Sequence, residues 1–228
     1  MTHKALLFDL DGVLTDTARY HFLAWKQLAD ELGIDFTLED NERLKGVSRM
    51  RSFEIILEIG GMSMTEEQKL SCCEKKNNIY REYIKKITPA DMLPGARRFL
   101  DESRAAGYLA ALGSASRNSP VILQGLGITE CFDAVIDGNR VSKAKPDPEV
   151  YLAGAAALGV CPEDCIVFED AAAGVLAAHA AGMAAVGIGS KEKLPQAEIC
   201  MPGFDGVTIA QVESALEAAA KGEKTIWA

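Results

Sequence analysis

The first cluster of hydrophobic positions is Lys4 to Phe8, a short apolar run that ends on Asp9. It reads as a buried strand whose C-terminal end delivers a carboxylate. From Thr17 to about Ile87 the spacing changes: Tyr20, Leu23, Ala24, Leu28 and Leu32 recur at three and four, and Phe53, Ile56 and Leu57 continue that period. This predicts three or four helices forming an inserted domain. Gly33, the Gly60-Gly61 pair and Pro89 punctuate the stretch, and Thr65-Glu66-Glu67-Gln68 has the form of a helix start with acids near the positive end of the dipole. After Leu93-Pro94-Gly95 helix and strand alternate. A helix is expected near Ala96 to Ala106, a strand near Tyr108 to Leu112, another helix, then strands near Ala134 to Ile136, Cys165 to Phe168 and Ala184 to Ile188. Such alternation implies a parallel sheet. The alanine-rich stretches at Ala153 to Ala157, Ala171 to Ala173 and Ala177 to Ala181 keep helical spacing and read as helices packed on that sheet. The tail from Lys221 onward is unassigned.

Composition narrows the function. With 48% hydrophobic and 25% charged residues, the 228-residue chain has a globular balance that excludes wholesale disorder. Acidic residues outnumber basic ones 33 to 24, and the formal charge of -9 repels a phosphate backbone, so nucleic acid is not an expected partner. Any anionic small substrate must then be gathered by a local cation cluster or a metal ion. No apolar run approaches the ~20 residues that span a bilayer. The six cysteines lack paired metal-type spacing, and no secretory segment precedes the first strand; reduced thiols and a cytoplasmic location are expected. Cys161 and Cys165, four apart around Pro162, read as structural rather than as zinc ligands.

Chemistry concentrates at the strand ends. Asp9-Leu10-Asp11-Gly12 sets two carboxylates two residues apart where a strand gives way to a loop, the place where open α/β sheets bind ligands. Taken alone, the segment also fits an acidic turn. Phe168-Glu169-Asp170 forms a second acidic pair at another strand end. Asp170 could cap the following helix, but capping leaves Glu169 without a role, whereas two acidic pairs at neighbouring strand ends form an oxygen-lined site suited to Mg2+. Ser114-Ala115-Ser116 precedes Arg117-Asn118 in a small loop whose amides can grip phosphate, or whose serines can cap a helix. Lys145 stands between Ala144 and Pro146-Asp147-Pro148, one cation on a rigid backbone.

In this order, the Asp9 strand, the Ser114 loop, Lys145 and the Glu169-Asp170 pair resemble the motifs of the haloacid dehalogenase superfamily over the whole chain. The resemblance implies an α/β fold: a doubly wound parallel-sheet, Rossmann-like core of residues 1–15 and 89–228 with an inserted α-helical cap domain of residues 16–88. It also implies that Asp9 is the nucleophile and Asp11 the general acid and base. Asp9, the Asp11 carbonyl, Glu169 and Asp170 would hold one Mg2+, with Lys145 and Ser114 neutralising the transferred phosphoryl group. The presence of Asp11 argues against the carbon-halogen branch.

Within the superfamily, Asp16-Thr17 to His21, Trp25, Leu44-Lys45-Gly46-Val47-Ser48-Arg49, Ser52, Lys76-Asn77 and Ser114 to Asn118 resemble the β-phosphoglucomutase family. That implies conversion of β-D-glucose 1-phosphate to glucose 6-phosphate through β-glucose 1,6-bisphosphate, by a monomer acting on a small sugar phosphate. Arg49, with Ser116 and Asn118, would grip the phosphate not being transferred. Ala115 belongs with the transferring-phosphate loop, and Lys45, Gly46, Val47, Ser48, Ser52 and Trp25 with the distal site. Thr17, His21 and Lys76 would couple cap closure to Asp11. The family usually has Lys where this chain has Arg117, a planar fork in place of a point charge. The rival reading is a sugar-phosphate or phosphoglycolate phosphatase with the same nucleophile. A phosphonate hydrolase would need a Schiff-base lysine that Lys45, Lys69, Lys75 and Lys76 do not identify. A silent binding protein on this fold would be expected to lose the nucleophile.

Overall fold

The apolar run at the start of the chain is strand β1 (Ala5–Phe8), buried along its whole length. The computed structural model describes residues 3–44 and 48–227. In it the chain forms two units, Met1–Asp16 with Ile87–Ala228, and Thr17–Lys86. The second unit is helical, with α1 (Ala18–Glu31), α2 (Leu38–Glu42), α3 (Arg49–Ile59) and α4 (Glu66–Ile84). The three-and-four spacing explains its core: Trp25, Leu28, Phe36, Phe53, Ile56, Leu57 and Cys73 meet in one cluster, with Trp25 stacked on Phe53 at 6.1 Å. Leu23 departs from the expected stripe and is 40% exposed. Helix ends follow local chemistry. At the start of α4 the Gln68 amide donates to Thr65 Oγ1 at 3.3 Å while the Gln68 side chain accepts from the Thr65 amide at 2.9 Å. Ser48 caps α3 by accepting from the Arg51 amide at 3.2 Å, and Gly60 ends it.

In the other unit α5 (Ala96–Ala105), α6 (Ser119–Leu126), α7 (Glu149–Leu158), α8 (Ala172–Ala180) and α9 (Ile209–Ala220) accompany β2 (Leu109–Gly113), β3 (Ala134–Ile136), β4 (Cys165–Glu169), β5 (Ala184–Ile188) and β6 (Ile199–Met201). The six strands are parallel in the order β3-β2-β1-β4-β5-β6. Both faces of the sheet are covered, which is why the strands read as unbroken apolar runs. On one face Leu7, Val167 and Ala185 pack with Tyr151, Ala155, Val175 and Ala178 of α7 and α8. Small residues permit the approach: a Cβ on Gly154 would lie 2.8 Å from Leu7 Cδ2. On the other face Phe8 and Phe168 stack at 4.8 Å and meet Phe99 and Phe204. Strand order reverses between β1 and β4, and the crevice at their C-terminal ends is where such sheets take ligands.

Two elements go beyond the sequence-based expectation. Strand β6 is three residues long, too short for a periodicity. Helix α9 has a capping box at Thr208 and Gln211 that marks its start. The N-cap of α8 is Ala171, so Asp170 does not cap that helix. All six cysteines are free, and no helix among the described residues is long and apolar enough to cross a membrane.

Candidate active site

Register brings the acids level. Phe8 pairs with Phe168, and the Asp9 amide donates to Phe168 O at 3.0 Å, so Asp9 and Glu169 leave adjacent strand ends together. Two glycines make room for the acidic side chains. Gly12 has φ +78°, and a Cβ there would lie 2.0 Å from Asp170 Oδ2; a Cβ on Gly174 would lie 1.7 Å from Glu169 Oε1. Carboxylate oxygens of Asp9, Glu169 and Asp170 lie within 4.8 Å of one another. The loop bearing Asp11 is tied down where Gly12 N donates to Thr15 O at 2.8 Å and Thr15 Oγ1 donates to Asp91 O at 2.7 Å.

Lys145 reaches into this group, donating to Asp9 Oδ1 at 2.6 Å and Glu169 Oε1 at 2.5 Å. Its loop is fixed by Glu149, which accepts from the Ser142 and Lys143 amides at 3.0 and 2.7 Å. Burial works against the Lys145 charge, but Asp9 and Glu169 outweigh it and hold the ammonium above the ordinary lysine range. One cation does not balance the acids. Burial pushes Asp9 up to about 7, with Lys145 opposing and Glu169 and Asp170 adding to the shift. Asp170 is likewise pushed up to about 7, by burial and then by Glu169 and Asp11. Crowded oxygens carrying uncompensated charge are a donor set that a small hard cation such as Mg2+ fits.

The Ser114 loop follows β2. Ser114 N donates to Ile136 O at 2.9 Å, Ser116 N to Ser114 Oγ at 3.1 Å, and Asn118 N to Ser116 Oγ at 3.2 Å. These three amides are paired inside the protein. Helix α6 starts at Ser119 with Asn118 at its N-cap, so neither serine caps it. A neighbouring turn braces the loop: Gly138 N donates to Ser116 O at 3.3 Å, and Asn139 Nδ2 to Arg117 O at 3.2 Å and to Asp137 Oδ2 at 3.1 Å. Neither that brace nor Tyr151, whose hydroxyl donates to Glu169 Oε1 at 2.7 Å, was anticipated. The buried Asp137 before Gly138 was the available signal for the first; an aromatic inside the first turn after Pro148 was the signal for the second.

The helical unit holds a cluster of the opposite sign. Lys76 Nζ donates to His21 Nδ1 at 2.7 Å and lies 4.8 Å from the Trp25 ring centroid and 5.0 Å from that of Tyr80, on which His21 stacks at 4.1 Å. Arg49 donates to Asn77 Oδ1 at 3.0 Å. Burial lowers Lys76 to about 7, helped by Arg49, and lowers His21 to about 3, helped by Lys76 and Arg49. Trp25 and Ser52 are buried, Trp25 as part of the helical core with its face toward Lys76. Ser48 is an exposed helix cap, and Thr17 stands at the N-cap of α1. Lys45, Gly46 and Val47 lie outside the described residues.

The fold and this constellation of acids and lysine define the class. The family model for haloacid dehalogenase-like hydrolases matches residues 3–182, and the chain belongs to that family. Among individual proteins, it is 44% identical to the β-phosphoglucomutase of Bacillus subtilis over 90% of this chain and 92% of that one. It is also 32% identical to a phosphorylated carbohydrates phosphatase of Thermotoga maritima over 79% of this chain and 82% of that one. The crystal structure of β-phosphoglucomutase from Clostridium difficile superimposes with a TM-score of 0.85 at 39% identity, covering 97% of this chain and all of the other.

Proposed function

We propose that this chain is a phosphomutase that interconverts β-D-glucose 1-phosphate and glucose 6-phosphate through β-glucose 1,6-bisphosphate and an aspartyl phosphate on Asp9. The observation that carries the proposal is the 44% identity to a β-phosphoglucomutase across 90% of the chain. The two charge clusters support it, because a mutase must hold one phosphate next to its nucleophile and grip a second with cations elsewhere.

In this reading an Asp9 carboxylate oxygen attacks phosphorus, the bond from phosphorus to the sugar oxygen breaks, and that oxygen takes a proton from the Asp11 carboxyl. In the return step Asp11 removes the proton from the 6-hydroxyl of β-glucose 1-phosphate, whose oxygen attacks the aspartyl phosphate, forming the bisphosphate and freeing Asp9; transfer of the other phosphate of that bisphosphate to Asp9 then leaves glucose 6-phosphate. Lys145 holds Asp9 in line and, with the Ser114 hydroxyl and the Ala115 amide, offsets charge on the moving group. Mg2+, held by Asp9, the Asp11 carbonyl, Glu169 and Asp170, would supply further neutralisation of the phosphoryl oxygens. The helical unit would act as a cap, with Arg49, Ser116 and Asn118 gripping the distal phosphate, Arg117 beside them, and His21, Lys76 and Thr17 coupling closure to Asp11. Lys45, Gly46, Val47, Ser48 and Ser52 complete that side.

A coupled assay with Mg2+, β-glucose 1-phosphate and a trace of glucose 1,6-bisphosphate, following glucose 6-phosphate and free phosphate together, tests this. Glucose 6-phosphate with little free phosphate supports the mutase. Phosphate release without isomerisation would replace it with the second reading, a sugar-phosphate phosphatase, favoured by the 32% identity to the Thermotoga enzyme.

A further inference from the structure

Tyr151 is fully buried on the first turn of α7, and the reading above gives it no task. A phenylalanine would fill the same space, so packing alone does not call for the hydroxyl. The ring is immobilised against β2, where a Cβ on Gly113 would lie 2.9 Å from Tyr151 Cε1. From this fixed base the hydroxyl donates to Glu169 Oε1 at 2.7 Å, while the ring face sits 4.8 Å from Lys145 Nζ. Glu169 thus has three donors: Tyr151 and Lys145 on Oε1, and the Ala171 amide on Oε2 at 3.1 Å.

These donors are not equivalent. Lys145 orients Glu169 but also cancels charge, and it is shared with Asp9. The Ala171 amide fixes only the second oxygen. The tyrosine hydroxyl is neutral, so it orients the carboxylate without subtracting from the negative charge a cation needs. We infer that Tyr151 is a positioning residue of the proposed site, its hydroxyl holding Glu169, and through it Lys145, in the arrangement that receives the metal ion. This rests on the phosphoryl-transfer reading above.

The test is Tyr151→Phe in the full chain, with Mg2+ affinity measured calorimetrically without substrate, beside the Mg2+ requirement of the reaction. Loss of a partner that orients a metal ligand weakens affinity on the order of 10-fold, and both measurements should move together by that amount. The melting temperature without Mg2+ should stay within roughly 4 °C, which separates positioning from loss of structure. A folded variant that binds Mg2+ as tightly as the wild type would overturn the inference while leaving the phosphoryl-transfer reading intact. A wild-type chain that binds no Mg2+ would overturn both. Should the variant not fold, 3-fluorotyrosine incorporated at 151 gives a fluorine resonance that must shift on adding Mg2+; an unmoved resonance overturns the inference.

Discussion

The two units solve mirror-image electrostatic problems. At the sheet end, Asp9 and Asp170 are crowded with other acids, and burial raises both above the ordinary carboxylate range. In the helical unit, Lys76 and His21 are crowded with Arg49, and burial lowers both below the ordinary basic range. In each unit burial is the largest cause and like charge adds to it. Protein groups relieve the two unequally: Lys145 bridges Asp9 and Glu169, whereas Lys76 meets a neutral imidazole and two aromatic faces. The acidic cluster is built around an internal cation and fits another, while the basic one is left suited to an anion.

The comparison breaks most severely at Asp9. Asp9→Asn should lower turnover on the order of 10^4-fold or more, as loss of a nucleophile does, measured in the coupled assay; retention of a tenth of the activity would remove Asp9 from the chemistry. Lys145→Ala should cost about 10^2 to 10^3-fold in kcat, since a charge aimed at the transferring group is lost. On the opposite side, Arg49→Ala should raise KM for the sugar phosphate by roughly 10 to 100-fold, the worth of a charge-assisted hydrogen bond, with a smaller effect on the first phosphorylation of Asp9. An unchanged KM would uncouple the helical cluster from substrate.

Stability should carry the signature of Lys76. Its folded value of about 7 lies below the 10.5 of an unfolded lysine, so the unfolded chain binds more protons between those values and stability rises with pH across that window. As pH falls through it, that stability is lost, on the order of a few kcal/mol. Lys76→Met should flatten the dependence, and melting curves with the same slope as wild type in that range would show that Lys76 keeps its charge on folding. The smallest effect is expected at Arg117→Lys, a change of less than about 10-fold in kcat/KM, because charge is kept and only the planar fork is lost.

Much of this was legible in the sequence. The runs at Lys4 to Phe8, Ala134 to Ile136 and Ala184 to Ile188 became strands because a sheet covered on both faces imposes apolar continuity. Acid spacing after β1 and β4 likewise survives translation, because parallel register fixes which residues share a level. What the sequence concealed depends on side-chain reach. The Tyr151 hydroxyl meets Glu169 across 18 positions, and the Asn139 side chain braces Arg117 across 22. In the Ser114 loop the Ser114 and Ser116 hydroxyls accept from the loop's own Ser116 and Asn118 amides, a local pairing that composition does not reveal.

The most direct measurement is to follow labelled phosphate on Asp9. Enzyme incubated with Mg2+ and glucose 1,6-bisphosphate labelled in its phosphates, then quenched in acid and digested, should carry label on the Asp9 peptide; a chase with β-glucose 1-phosphate should move that label into sugar bisphosphate. Label found on another residue, or chased only into inorganic phosphate, would contradict the account.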